Sequence, residues 1–327
     1  MGKQKRKSYR GVAAIAGLWV LSLLSAGCME EERGPMLGFR QAAPKSADAV
    51  TVPDAFVYQV YDETLHEWTS ELGSRAVRRE GAEPLFNPCD AARMYWPEGH
   101  VYSFFAAGSA SGEPDAGSIV FTREGNALSV RIFNPGHDKD YMAARSLFRS
   151  KTAGVEMDFC HLCARISSIR INPGAWLEWL EAKELDAVAE LRLSGASISD
   201  ADNADYVFSR RDGCVFEENA PDYRSSLFVS LESLSGVSAG LRSGGQTLPA
   251  DYYAFPGRHS LKMSFRQLGY DGRELLPERI LCGEFSVSAG ESVALEVAPD
   301  PSGNTLGISV GYQVADWRNA GDYVEYE

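Results

Sequence analysis

The sequence predicts an all-β protein of two tandem β-sandwich domains with a short helical insertion. Short stretches rich in β-branched and aromatic residues alternate between apolar and polar positions, as half-buried strands do. Clusters of Gly, Pro, Asn and Ser separate these stretches at intervals of about 8 to 20 residues, a spacing typical of antiparallel sandwiches. The 327 residues are 44% apolar and 11% aromatic, which is enough to build two separate cores.

The first half of the chain contains four clear strand stretches separated by turn signals such as EGN and NPG. A further short strand is predicted near MLGF, residues 36–39, within a polar segment that we interpret as a tether. The four stretches are AFVYQVY (55–61), HVYSFFAA (100–107), SIVFTR (118–123) and ALSVRIF (127–133).

The second half continues the strand pattern and contains one exception. We interpret GVEMDFCHLCARISSIRI, residues 154–171, as one long strand or a bulged pair of strands. The exception is GAWLEWLEAKELDAVAEL, residues 174–191, where Trp176, Leu177 and Leu180 recur at helical spacing and predict a helix. The later predicted strands lie at 189–198, 205–211, 225–234, 259–268, 282–290, 291–299 and 306–314.

The N-terminus has the layout of a secretory signal. Five basic residues precede a thirteen-residue apolar run, Val12 to Leu24, which is too short to span a bilayer. The run ends in LSAGC, which looks like the lipobox of bacterial lipoproteins, so Cys28 is the predicted lipidation site and residues 1–27 the signal peptide. An ordinary signal peptide with an incidental cysteine is the alternative.

The residues that follow predict where each part of the mature chain lies. An acidic cluster, Met29 to Glu32, follows Cys28 and resembles a surface-export signal, although a plain solvated linker has the same composition. Residues 28–49 are the predicted lipidated tether and first-strand region. The polar SKTAG segment at 150–154 suggests a boundary between an N-terminal sandwich at 50–153 and a C-terminal sandwich at 154–327.

The charge of the mature chain excludes one class of partner. Five of the 32 basic residues and none of the 45 acidic residues precede Cys28, so the mature chain carries a formal net charge of −18. A surface this acidic repels nucleic acid and anionic lipid. We therefore expect no nucleic-acid partner and contact with the membrane only through the N-terminal lipid.

No motif in the sequence predicts catalysis, a metal site or a cofactor. The five histidines form no HExxH or HxH pattern. GSASG, residues 108–112, lacks the central serine of a nucleophile elbow. DADNAD, residues 200–205, offers oxygen ligands for calcium but lacks the glycine and glutamate of an EF-hand loop, so a solvated loop is favoured. Trp176 and Trp179 are expected to pack on a sandwich rather than bind sugars.

FCHLC, residues 159–163, is the stretch that most resembles a chemical site. On one strand, Cys160 and Cys163 would face opposite sides, which disfavours a shared metal or a direct disulfide. His161 and Cys163 would share a face but lack further ligands. We therefore interpret the stretch as core strand. The sequence leaves open any pairing among the five cysteines that remain after Cys28, which are Cys89, Cys160, Cys163, Cys214 and Cys282.

Three motifs in order resemble one family. MYWPEGHVYSFFAAG, residues 94–108, is similar to the YWP…FFAY segment of the fimbrillin-like (Mfa-like) lipoproteins of Bacteroidetes-type bacteria. Residues 140–171 resemble that family's DLL.A segment and its V.L.F.HALS.I.F pattern, except that Cys163 and Ala164 replace a small and an apolar residue. ISVGYQVADW, residues 308–317, resembles its closing strand and tryptophan. The matching positions are Asp140, Tyr141, Met142, Val155, Met157, Phe159, His161, Leu162, Ile166, Ile169 and Trp317.

The resemblance implies two transthyretin-like β-sandwich domains and the role of a fimbrial or adhesin subunit at the outer-membrane surface. In that family an arginine- or lysine-specific protease cuts near the N-terminus and releases the first strand. The open groove then accepts a strand from another fimbrial subunit, which is β-augmentation. Arg40 and Lys45 are the candidate processing residues here, although both suit ordinary solvated charges. The short C-terminal end, DYVEYE, leaves a tip, anchor or minor subunit open.

Two other functions remain open from sequence alone. One is a monomeric surface lipoprotein that binds a glycan or another ligand on the host or bacterial surface, whose identity the sequence leaves unknown. The other is a hydrolase built on a β-sandwich, against which the absence of a catalytic constellation argues.

Overall fold

The protein is described by a computed structural model whose secondary structure is almost entirely strands. The strands follow from the alternating pattern, since residues at every second position face the same side of a sheet. The described residues are 37–41, 52–79, 85–89, 99–110, 117–133, 137–149, 154–185, 187–200, 203–209, 213–216, 227–231, 234–240, 246–300 and 305–312.

Twenty-two strands and one helix can be placed in the described part of the chain. In order, they are β1 (Phe39–Gln41), β2 (Ala55–Asp62), β3 (Glu67–Thr69), β4 (Arg75–Arg78), β5 (Leu85–Pro88), β6 (Val101–Ser109), β7 (Ile119–Glu124), β8 (Ala127–Phe133), β9 (Tyr141–Arg149), β10 (Val155–Met157), β11 (Cys160–His161), β12 (Ala164–Ile171), α1 (Pro173–Ala182), β13 (Val188–Asp200), β14 (Asn203–Ser209), β15 (Gly213–Phe216), β16 (Leu227–Ser230), β17 (Ser238–Gly240), β18 (Gln246–Ala254), β19 (Gly257–Gly269), β20 (Glu274–Val287), β21 (Ser292–Pro299) and β22 (Leu306–Tyr312).

Two sheets form the first sandwich. Sheet I has the order β10-β1-β5-β4-β2-β6-β9-β11, with β3 paired to β2, and sheet II has the order β15-β14-β8-β7. The central strand β6 is buried along nearly its whole length, because an aromatic core covers one face of sheet I and sheet II covers the other. This explains why its sequence is almost continuously apolar instead of alternating.

Two further sheets form the second sandwich. Sheet III has the order β18-β12-β21-β22, and sheet IV has the order β16-β13-β19-β20 with β17 paired to β13. Their inward faces share one hydrophobic core with α1. Trp176 and Trp179 of α1 are both 2% exposed, and the Trp176 ring meets the Phe265 ring edge-to-face at 4.9 Å. The all-β sandwich class and the packing of both tryptophans are therefore confirmed.

The stretch at 154–171 is neither one strand nor a bulged pair, so that prediction was wrong. It forms three short strands, and β10 and β11 pair within sheet I while β12 belongs to sheet III. The chain leaves the ladder at Asp158–Phe159 and again at Leu162–Cys163. The alternating pattern of apolar residues did not predict these breaks. A chain that passes from one sheet to another keeps this pattern although its hydrogen-bond partners change.

The predicted helix at 174–191 is confirmed only over its first part. Asn172 caps the N-terminus by accepting a hydrogen bond from the Ala175 N–H at 3.2 Å. The helix ends at Ala182, and Glu184 then has a φ of 56°, a backbone conformation that breaks a helix. Residues from Val188 onward open β13 instead. The sequence lacks the glycine that usually marks such an end.

Strand pairing crosses the position at which the sequence suggested a domain boundary. Strands β14 and β15, from the second half of the chain, complete sheet II beside β7 and β8. Strands β10 and β11 likewise remain with sheet I after residue 153. The first sandwich thus draws on both halves of the sequence. In the described part of the chain, no helix is long and apolar enough to span a membrane.

Candidate functional site

The first strand, β1, lies inside sheet I rather than at its edge. On one side β5 pairs antiparallel to it, with Phe39 opposite Phe86. On the other side β10 pairs parallel to it, with Phe39 opposite Val155. The Val155 N–H also donates to the Gly38 carbonyl at 2.8 Å. Withdrawal of β1 would leave two strand edges with unpaired backbone groups facing one another across an open groove.

The Phe39 side chain anchors β1 in the aromatic core of sheet I. Its ring centroid lies 5.3 Å from that of Phe56, 4.9 Å from that of Tyr58 and 5.5 Å from that of Phe104, each in edge-to-face geometry. Leu37, just before the strand, is equally buried. Burial of each side chain contributes about 1.5–3 kcal/mol, and an aromatic pair adds about 0.5–1.5 kcal/mol. The floor of the groove is therefore strongly apolar.

Arg40, one of the two candidate processing residues, lies in the middle of β1. Its backbone pairs with Leu85 on one side and with Glu156 on the other. Its exposed guanidinium also forms an ion pair with the Glu156 carboxylate. A peptide bond held in a ladder on both sides is already extended, but its backbone groups are paired and cannot bind in a protease active site until β1 leaves the sheet. Lys45 and the candidate lipidation site Cys28 lie outside the described residues.

The FFAA motif on β6 explains how the two faces of sheet I are filled. Phe104 points into the aromatic core that holds Phe39. Phe105, its neighbour, points to the opposite face, where its ring meets Phe208 of sheet II at 5.2 Å. Gly108 is required at the end of the motif, since a β-carbon there would lie 2.4 Å from the Ala55 carbonyl oxygen. The residues of this motif therefore pack the two faces of sheet I and do not form a catalytic or binding site.

His161, at the centre of FCHLC, forms a buried hydrogen bond with Asp140. Its Nδ1 lies 2.9 Å from Asp140 Oδ1, and both side chains are 2% exposed. Burial raises the pKa of the Asp140 carboxyl, and the hydrogen bond from His161 opposes that shift. The sequence identified His161 as a core residue, which is confirmed, but gave no sign of its partner. The pair fixes the start of β9 against β11.

A second buried polar cluster joins the two sandwiches. The ring of His137 stacks on that of Tyr252 at 4.6 Å, and the Tyr252 hydroxyl donates to Asp200 at 3.2 Å. Both ring nitrogens of His259 lie 2.7 Å from carbonyl oxygens, those of Ser199 and Phe255. Asp200 Oδ1 lies 3.9 Å from Nδ1 of the same ring.

This second cluster is suited to holding elements together rather than to catalysis. Asp200 is 1% exposed, and its carboxylate already faces His137, Tyr252 and His259. The His137 carbonyl accepts from the Tyr253 N–H at 2.9 Å, which ties the segment before β9 to β18. Burial lowers the pKa of His137, although the charge of Asp200 opposes the shift.

The remaining candidate motifs do not converge on a site. Asp200 ends β13, whereas Asp205 on β14 forms a bidentate ion pair with Arg131. The two carboxylates are buried and have different partners, so the expectation of a solvated loop was wrong for both. The central Ala110 of GSASG follows the end of β6. Among the described residues, no three His, Cys, Asp or Glu side chains are grouped so that they could hold a metal ion.

The cysteines of FCHLC lie in different surroundings. Cys163 is outside any strand and 2% exposed, so the prediction that it shares a strand with Cys160 was wrong. Burial raises the pKa of the Cys163 thiol well above its usual value, as do the charges of Asp140 and Asp200. Cys160 and Cys214 are half-buried, Cys282 is exposed, and these four cysteines are free thiols in the structure.

A similar fold occurs in a solved structure, that of a fimbrial protein from Bacteroides vulgatus. The two chains are 13% identical, with a TM-score of 0.55 over 86% of this chain and 99% of that chain. This chain has the fold of a Bacteroides fimbrial protein. At this level of identity the similarity establishes the fold and leaves the function to be argued from the site.

More distant similarities include two other surface proteins. One is a Bacteroides uniformis protein named for cell adhesion, 14% identical with a TM-score of 0.46 over 89% of this chain and 99% of that chain. The other is the tip fimbrial protein Mfa3 from Porphyromonas gingivalis, 9% identical with a TM-score of 0.33 over 85% of this chain and 99% of that chain. None of these three is named as an enzyme.

No protein-family model matches the chain, and no curated protein matches it either.

Proposed function

We propose that this chain is a surface-displayed lipoprotein that acts as a fimbrial or adhesin subunit and joins its neighbour by strand exchange. The observation that carries the proposal is the position of β1, a three-residue strand seated between β5 and β10 with Phe39 in the aromatic core. Its removal leaves a groove with two free strand edges and an apolar floor. An extended strand from a neighbouring subunit would restore both ladders and refill the pocket.

The short segment between Cys28 and β1 would couple strand exchange to release from the membrane anchor. Phe39 is the eleventh residue after Cys28, and a fully extended chain spans at most about 3.6 Å per residue. With Cys28 lipidated, an inserted β1 therefore keeps the folded body within roughly 40 Å of the outer membrane. A cut after β1 separates the lipid from the body and opens the groove in one event.

Of the two candidate residues, Lys45 is the better processing site. A cut after Arg40 requires β1 to leave its ladder first, because both neighbouring strands pair with that residue. Lys45 follows β1 in sequence and precedes β2, so a cut there releases the whole strand. Similarity to a fimbrial protein in fold supports the assembly role.

A cleavage experiment tests the proposal. The purified chain is treated with a lysine- or arginine-specific protease, and the products are run on an unheated gel without reductant. We expect a ladder of polymers from the wild type and from Arg40→Ala, and loss of the ladder with the lysine-specific enzyme in Lys45→Ala. A clean monomer after complete cleavage would contradict strand exchange. If that monomer also binds a glycan array, the alternative of a ligand-binding lipoprotein is favoured.

A further inference from the structure

Cys160 faces sheet II from the edge of sheet I. It lies on β11, the last strand of that sheet, directly opposite Ala143 of β9. Directly paired residues on neighbouring strands have side chains on the same face. Ala143 belongs to the core between sheets I and II, whereas Met142, which pairs with His161, belongs to the aromatic core on the other face. The Cys160 thiol is therefore directed toward sheet II.

Cys214 faces sheet I from the edge of sheet II. It lies on β15, an edge strand of sheet II, directly opposite Phe208 of β14. Cys214 and Phe208 both pack against the core between the two sheets, as does Phe216 two residues farther along β15. The Cys214 thiol is therefore directed toward sheet I.

The two edge strands lie on the same side of the sandwich. Strand β15 packs against β9, the neighbour of β11. Arg145 of β9 reaches the Ser209 carbonyl of β14 at 3.5 Å, and Phe105 of β6 meets Phe208 of β14. The strands of sheet II thus follow those of sheet I in the same order, and β15 overlies the β9–β11 edge. Facing inward positions on sandwich sheets are bridged by a disulfide in immunoglobulin domains.

The shifts in the pKa values of the two thiols agree with this placement of Cys160 and Cys214. Burial raises the pKa of the Cys214 thiol well above its usual value, and the neighbouring charge of Cys160 raises it further. Burial, together with the charge of Asp158, raises the pKa of the Cys160 thiol to about 11. The charges that act on Cys163 come instead from Asp140 and Asp200. The influence of Cys160 on the pKa of Cys214 agrees with two thiols that face one another across the sandwich.

We propose that Cys160 and Cys214 form an inter-sheet disulfide that joins the edges of sheets I and II. The co-reactant is a disulfide oxidant, either a small molecule or a protein. The Cys160 thiolate attacks one sulfur of that disulfide, which forms a mixed disulfide and releases one thiol. The Cys214 thiolate then attacks the Cys160 sulfur and releases the second thiol. The two cysteines lose two protons and two electrons, and the two oxidant sulfurs receive them.

The burial of both thiols determines when this bond forms. Thiolates are the reactive species, and raised pKa values make them scarce in the folded protein. Oxidation is therefore fastest before β15 closes over β11 during folding. Once formed, the bond closes a loop of roughly 50 residues, a length for which a disulfide stabilises mainly by restricting the unfolded chain. This inference is independent of the proposed strand exchange.

Peptide mapping tests the pairing. The full chain carrying Cys28→Ser is refolded with oxidised and reduced glutathione, alkylated after unfolding and digested with trypsin. Cleavage at Lys151 and Arg165 and at Arg211 and Arg224 yields peptides 152–165 and 212–224. We expect these two peptides to be linked, and the link to disappear on reduction. Because peptide 152–165 holds both Cys160 and Cys163, variants must assign the bond.

Matched variants assign the bond and measure its effect. Cys163→Ala should retain the link, whereas Cys160→Ala and Cys214→Ala should lose it. Reduction should lower the melting temperature of the wild type and of Cys163→Ala by about 5–15 °C, and should leave that of Cys160→Ala unchanged. A link retained in Cys160→Ala, a bond within peptide 152–165, or free thiols at both positions in the refolded wild type would each overturn the proposal.

Discussion

At the residue scale, Phe39 is the side chain that holds the first strand in sheet I. A strand of three residues makes few backbone hydrogen bonds, so its retention depends on the side chains that it buries. Phe39 is 1% exposed and contacts three aromatic rings. Arg40, by contrast, contributes an exposed ion pair, which is worth little in water.

Replacement of Phe39 by alanine should loosen β1 without altering its hydrogen-bond register. We expect Phe39→Ala to lower the free energy of unfolding by about 3–5 kcal/mol, because the cavity left in an aromatic core collapses only partly. Urea denaturation followed by tryptophan fluorescence measures the change. Phe228→Ala is the matched control, since Phe228 is 42% exposed. Equal losses in the two variants would contradict the anchoring role of Phe39.

His137 should give the stability of the protein a measurable pH dependence. Burial lowers its pKa in the folded state from the usual 6.5, so the unfolded chain takes up the proton first as the pH falls. The free energy of unfolding should therefore fall as the pH drops through about 6.5 toward the lowered pKa. Urea titrations at pH 7.5 and 5.5 should show a smaller change for His137→Gln than for the wild type. His66→Asn, at an exposed turn, should match the wild type.

At the element scale, a glycine allows β20 of sheet IV to approach β22 of sheet III closely. A β-carbon on Gly283 of β20 would lie 2.1 Å from the Leu306 carbonyl oxygen and 2.8 Å from Ile308 of β22. No real β-carbon tolerates the first distance, so β20 and β22 would have to separate. Gly195 on β13 provides the contrast, since nothing lies within 4 Å of its added β-carbon.

Alanine at these two glycines should have very different effects. We expect Gly283→Ala to lower the free energy of unfolding by about 3 kcal/mol, because overpacking forces two strands apart. Gly195→Ala should change it by less than about 1 kcal/mol. Thermal unfolding of the two variants beside the wild type makes the comparison. Similar melting temperatures for both would show that β20 and β22 do not approach this closely.

At the scale of the whole molecule, the first sandwich is completed by strands from the second half of the chain. Sheet II consists of β7 and β8 from residues 119–133 and of β14 and β15 from residues 203–216. The core between sheets I and II includes Ala204 and Tyr206 from those later strands. The Tyr206 hydroxyl also donates to the Leu162 carbonyl at 2.7 Å.

A fragment that ends at the boundary suggested by the sequence should therefore not fold cooperatively. Residues 28–153 contain β7 and β8 but lack β14 and β15, so one face of sheet I and the inner face of β8 would be exposed to water. We expect a broad thermal transition and weak near-ultraviolet circular dichroism, in contrast to the sharp transition of the whole chain. A sharp transition in the fragment would show that the first sandwich is complete without the later strands.

Much of the secondary structure could be predicted from the sequence, because strands and helices have local signatures. The stretches at 55–61 and 127–133 alternate with period two, and both are strands. The helix start at Pro173 follows an asparagine cap. The predictions were wrong at the breaks within 154–171 and after Ala182. There the apolar pattern of the sequence continues, but the backbone stops pairing as it did before the break. Neither place contains a glycine or proline at the break itself.

The candidate site could be predicted only in outline. MLGF suggested a short strand in the tether, and β1 indeed begins at Phe39. Nothing in those residues indicates that the strand lies between β5 and β10 or that Arg40 pairs with Glu156. The partner of His161 was equally hidden, since Asp140 reaches it only because β9 pairs with β11.

The sequence by itself determined the all-β class, most of the strands and the acidic character of the chain, because these depend on residue types and local periodicity. Only the tertiary structure decided which strands pair, and therefore that β1 is an internal strand and that sheet II draws on both halves of the chain. Alternation specifies which side chains are buried, but it carries no information on which backbone will supply the hydrogen bonds. That choice is made by long-range packing.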